Sequence, residues 1–161
     1  MASSILVGGC GLLPIDRNVA AFCAETADVK DLVFTQEEDD SFWNAVRAAA
    51  GQSGTVAMAD VVAASGWNDT WDVMVKASAG VEPDRLNRLG GATDLCWTGL
   101  PRFAGDGPAH GVHVFFRAGQ PIRAVEWDWR TQLFMIPGDV DQVLRPATEM
   151  APTEYNWLQP A

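Results

Sequence analysis

Residues 111–117 and 121–129 constrain this chain more than any other stretch. Both runs read as strands, and only Ala118-Gly119-Gln120 connects them. So short a connection containing glycine permits an antiparallel return and no crossover, so the pair reads as a β-hairpin. Val112, Val114 and Phe116 point to one side, His113 and Phe115 to the other. Across the turn Ile122, Ala124 and the ring of Trp127 or Trp129 complete the pattern. The expected fold is therefore α+β: an antiparallel sheet centred on the 111–129 hairpin, with two or three helices packed on one face.

The remaining segments supply those helices. Glu37-Glu38-Asp39-Asp40-Ser41 precedes a run in which Phe42, Val46 and Ala49 share a helical face, and Gly51 and Gly54 end it. The carboxylates suit the positive end of the helix dipole, and they lack the spacing and central glycine of a calcium loop. A second helix runs over 80–91, with Pro83 near its first turn and Gly90 past its end. A third, short one is expected over 16–24. Residues 55–62 alternate loosely and read as a strand, and 65–69 as a turn. Residues 70–76 read as a better strand with Trp71, Val73 and Val75 on one face. Further short strands are expected at 96–98 and 131–136, a strand or linker at 31–35, and a short helix at 139–144. The segment 99–110, with three glycines and two prolines, is a loop, and the tail from Arg145 is extended.

The first ten residues end in Ile5-Leu6-Val7-Gly8-Gly9-Cys10, an apolar run and two small residues before a cysteine. This is the form of the end of a bacterial lipoprotein signal, without the basic front of a complete one. Residues 1–10 are accordingly read as a truncated signal with lipidation at Cys10, and 11–161 as a single α+β domain. The competing reading makes residues 3–13 a buried strand of a cytoplasmic protein. With Cys10 lipidated, Cys23 and Cys96 remain as an even pair able to form one disulfide; the alternative is two small buried thiols. No run approaches the length of apolar sequence that spans a membrane as a helix. A lipid on Cys10 would be the sole membrane attachment.

The 21 acidic and 11 basic residues leave a formal net charge of −10, which repels phosphate backbones and argues against nucleic acid. It suits a basic protein partner. Catalytic and cofactor motifs are not found. His110 and His113 fall three apart in a strand and face opposite sides, a poor metal pair. Gly-x-Ser-x-Gly is absent, and Gly8-Gly9-Cys10-Gly11 lacks dinucleotide spacing. Glu126 and Asp128 flank Trp127 and share a face; paired carboxylates can do acid–base work, but two exposed acids on the solvent face of a hairpin explain them more simply. Seven tryptophans are many for 161 residues. Trp67, Trp71, Trp127 and Trp129, with Glu126 and Asp128, form the candidate partner-binding set, since aromatic rings anchor interfaces; the alternative places them in the core.

In order along residues 40–130 stand Phe42-Trp43, Trp71-Asp72-Val73, Leu86-Asn87, and Val114-Phe115-Phe116 with Gly119 and Val125-Glu126. This succession resembles an uncharacterised group of small bacterial lipoproteins and secreted domains. The chain differs from that group in its incomplete signal and its 99–110 insert. The resemblance implies a compartment outside the cytoplasm and carries no activity. The expected function is a non-enzymatic, lipid-anchored extracytoplasmic domain, without cofactor or metal, that binds a protein or envelope component. The alternative is a small acidic inhibitor or immunity protein covering a basic site on its partner.

Overall fold

The computed structural model describes residues 23–103, 107, 109–131, 133–134 and 143–161. Cys10, the expected signal and nearly all of the expected 16–24 helix lie outside them. The described elements run β1 (Glu25–Asp28), α1 (Val29–Leu32), α2 (Gln36–Ala50), β2 (Val56–Ala57), α3 (Met58–Ala64), β3 (Val73–Ser78) and α4 (Pro83–Gly90). There follow β4 (Leu95–Thr98), β5 (His110–Arg117), β6 (Gln120–Asp128), β7 (Val143–Leu144), β8 (Glu149–Pro152) and β9 (Leu158–Pro160).

The fold is α+β, and its centre is a four-stranded antiparallel sheet in the order β6-β5-β3-β7, built on the 111–129 hairpin. The turn is tighter than expected: Arg117 pairs with Gln120, leaving Ala118 and Gly119 as a two-residue loop, both at positive φ (49° and 77°). That is the backbone that continues the twist of the two strands. Alanine pays strain at such a φ, and Asp72 Oδ2 offsets it by accepting the Ala118 N–H at 2.6 Å.

Both faces of the sheet are buried. Met74, His113, Phe115, Val125 and Trp127 face α2, α3 and the small sheet β2-β8-β9, with Phe42, Trp43, Met58, Met150 and Leu158 opposite them. Val73, Val75, Ala77, Val112, Val114, Phe116 and Ala124 face α1, α4 and β4, meeting Val29 and Leu86. Two helices, α2 and α3, thus pack on one face as expected, and α1 and α4 cover the other. A parallel pair, β1-β4, flanks that second layer.

The helix starts and stops follow local chemistry. Thr35 caps α2 through a reciprocal capping box with Glu38, so the acidic run lies inside the first turn. Pro83 opens α4, and Gly91 closes it at φ 71°. Asn87, buried in α4, donates to Leu95 O (2.6 Å) and accepts from Trp97 Nε1 (2.7 Å), tying the helix to β4.

Several expectations are corrected. Residues 55–62 are a strand only at Val56–Ala57; Met58, Val61 and Val62 then fall at helical spacing and bury one stripe of α3. Trp71 does not share a face with Val73 and Val75: the chain turns at Asp72, and Trp71 packs with Met74 against Phe115. A bulge between Phe115 and Phe116 shifts the register at Ile122, so Ile122 packs on the α2 side while Ala124 packs on the α4 side. The 31–35 segment is the end of a helical turn plus one bridge, Val33 to Ala124. Of the expected 131–136 strand, Thr131 is in a turn and Phe134 makes a single bridge to Leu158. Of the 139–144 helix, Val143 and Leu144 are β7 and the rest lies outside the described residues.

Candidate functional site

β6 is an edge strand, and two of its outward carbonyls are taken. Phe34 N donates to Ala124 O at 3.0 Å, and Trp43 Nε1 donates to Glu126 O at 3.2 Å. Strand addition at this point is therefore blocked. Where β6 runs out, a cavity of about 390 Å³ opens between α2 and the 99–101 turn. Asp39, His110, Glu126, Trp127, Asp128 and Thr131 line it.

The cavity is acidic. Asp39 comes from the first turn of α2, Glu126 and Asp128 from alternate positions of β6. One oxygen of Asp39 is buried without a hydrogen-bond partner. Burial raises the Asp39 carboxyl above its ordinary range, the charges of Asp40 and Glu126 add to the rise, and the nearby Trp43 indole N–H partly offsets it. Asp128 is held low, chiefly by the Thr131 backbone N–H and also by that of Arg130, both donated to Oδ1 at 2.9 and 2.8 Å. Asp128 therefore shapes the turn that ends the strand and lines the cavity. Such an arrangement receives a cation with N–H donors, a guanidinium or an ammonium.

The candidate tryptophans divide. Trp71 and Trp127 are core residues, 6% and 4% exposed. Trp67 is half-buried, edge-on to Phe115 at 4.7 Å, with its Nε1 donating to Asp69. Trp129 alone of the four is open to solvent, at 57%, with the Arg130 guanidinium 5.0 Å from its ring. The strand stops at Asp128, so Trp127 lies within it and Trp129 in the turn beyond. Glu126, Asp128 and Trp129 are thus brought to one end of the sheet, while Trp67 and Trp71 pack on its α2 side.

Cys23 and Cys96 form a disulfide, with Cα atoms 5.5 Å apart, that staples the entry of β1 to β4. Asp39 is the functional candidate that sequence reasoning missed. Its charge reads as a helix-start feature, and its place beside Glu126 arises only when α2 crosses the sheet edge. Among the described residues, no cluster of histidine, cysteine and carboxylate side chains is arranged to hold a metal ion.

No protein-family model matches the chain, and no curated protein or solved structure shows significant similarity to it. The resemblance over residues 40–130 rests on its own motifs.

Proposed function

We propose that this is a non-enzymatic extracytoplasmic domain, lipid-anchored through Cys10, that binds a basic protein partner at the end of β6. The observation that carries this reading is the acidic cavity, in which a buried, unpartnered Asp39 oxygen stands beside Glu126 and Asp128. An arginine or lysine side chain entering it would meet concentrated negative charge at low solvent cost. Trp129, exposed at the rim, supplies an aromatic anchor beside the charge. The Cys23–Cys96 disulfide supports an oxidising compartment.

An inhibitor or immunity protein uses the same surface, and the two readings separate on whether the partner loses an activity when bound. The test has two arms. Mass spectrometry of the natural product from membranes is expected to find a chain beginning at Cys10 with added acyl mass. Retention of Met1 in the soluble fraction overturns the anchor. Cross-linking in envelope extracts is expected to yield a basic partner that is lost with Asp39→Asn/Glu126→Gln and with rising salt. Capture unchanged by that double substitution overturns the acidic site.

A further inference from the structure

A second pocket has the opposite character. Lys76, on β3, lays its ammonium 4.5 Å from the centroid of the Trp127 ring. The Trp127 Nε1–H is buried and has no acceptor. Lys76 is half-buried, and among the described residues the one ion pair joins Arg123 to Glu38, so no carboxylate answers the ammonium. The indole N–H thus lacks an acceptor, a costly state for a donor withdrawn from water, and the ammonium over the ring has no carboxylate partner among the described residues.

The two residues, Lys76 and Trp127, border a divided cavity. One part, about 240 Å³, is lined by Lys76, Ser78, Gly80, Arg85, Leu89 and Phe103. The other, about 100 Å³, shares Ser78 and Phe103 and reaches Trp127. The Phe103 ring lies across Gly80, where any side chain would collide with it. Trp127 and His110 also belong to the wall of the acidic cavity, yet none of the described residues lining either part is acidic. In a chain of net charge −10, a pocket walled by a lysine, an arginine, a serine hydroxyl and apolar rings is selective for anions.

We propose that this pocket binds a small carboxylate with a short apolar body. Its head accepts from Lys76 Nζ and Trp127 Nε1–H, and its body lies on Leu89 and Phe103. A carboxylate matches the donor set because its two oxygens accept from two donors and its single charge balances one ammonium. Burial lowers the pKa of Lys76, and an anion beside it favours the charged form. The site does not depend on the protein-binding reading above.

Titration of the full disulfide-bonded chain, followed by the Trp127 indole N–H resonance, tests this. That signal is assigned from the spectrum of Trp127→Phe. The probes are hexanoate, the neutral hexanamide, inorganic phosphate, and a short apolar peptide with a free C-terminus. Hexanoate is expected to move the resonance saturably and to bind at least about tenfold more tightly than hexanamide. Lys76→Met is expected to erase that difference. Arg85→Gln, at an exposed position of α4, should weaken hexanoate selectively and keeps the test open if the lysine variant does not fold. Binding of the peptide as well would identify the carboxylate as one that a chain terminus also supplies. Equal response to acid and amide, response to phosphate alone, or no saturable shift overturns the proposal.

Discussion

Trp43 reaches from α2 across the sheet edge and donates its indole N–H to the carbonyl of Glu126, 3.2 Å away. One side chain thereby packs in the core against Phe42, His113 and Phe134 and ties α2, which carries Asp39, to the strand that carries Glu126. Trp43→Phe keeps an aromatic ring and removes the donor. It leaves a carbonyl unanswered at a partly buried edge, which costs about 1–3 kcal/mol. The expected result is a lower urea midpoint with an unchanged slope. A midpoint equal to that of the parent would show that the hydrogen bond contributes nothing to the edge.

The disulfide carries a larger effect. It spans 73 residues of sequence, and closing a loop of that length in the unfolded chain is worth about 4 kcal/mol in the chain-entropy account. The β1-β4 pair it secures is only two strands wide, and two-stranded pairs are marginal by themselves. Cys23→Ser/Cys96→Ser is therefore expected to lose about 2–4 kcal/mol. Hydrogen exchange should accelerate first in β1 and β4 and only later in β5 and β6. Uniform acceleration across all four strands would contradict that order.

Much of this architecture is legible in the residues, and what is not has physical causes. The hairpin is legible because Val112, Val114 and Phe116 alternate with His113 and Phe115 on a strand buried on both sides. The α2 stripe of Phe42, Val46 and Ala49 is legible because helical spacing admits no other face. The slip at Ile122 is not, because a bulge is a property of two paired strands. The 55–62 segment misleads because valine and alanine suit strand and helix alike, and packing of Met58, Val61 and Val62 against the core decides. At the acidic cavity, the pairing of Glu126 with Asp128 follows from strand period. Asp39 joins them only through the tertiary path of α2, and the exposure of Trp129 depends on a turn held by Asp128 and Thr131.

Gly111 is the glycine that the sheet can least replace. It sits in β5 opposite Ser78 and Trp127, with the Trp127 ring folded over it. A Cβ there would strike the Ala77 carbonyl oxygen, which is backbone and cannot turn aside, and would lie 2.7 Å from Trp127 Cζ2. Gly111→Ala is expected to cost about 2–3 kcal/mol through overpacking. It should also displace the Trp127 ring, so the Trp127 indole N–H resonance should move together with the fall in stability. A destabilisation that leaves that resonance in place would mean that the backbone oxygen alone bears the clash.

His113 makes stability depend on pH. It is fully buried among Trp43, Trp127 and Phe134, with no hydrogen-bond partner for either ring nitrogen. Burial, and secondarily the charge of Lys76 across the strand pair, pushes its pKa down from 6.5 to about 3. The unfolded chain takes up this proton below 6.5 and the folded one does not until about 3. Unfolding is therefore favoured as pH falls through that window, by up to about 1.4 kcal/mol per pH unit, and the effect vanishes above it. The surrounding carboxylates modify the slope. Glu38 and Asp128, held low in the fold, add to the acid loss at the bottom of the window, while the raised Asp39 opposes it. His113→Leu removes the titrating group and two unanswered nitrogens from an apolar site. Urea titrations at about pH 7 and about pH 5 are expected to differ by more than 1 kcal/mol in the parent and by much less in His113→Leu. At the higher pH the variant should equal or exceed the parent in stability. An acid loss of the same size in both proteins would assign the pH dependence to the carboxylates instead.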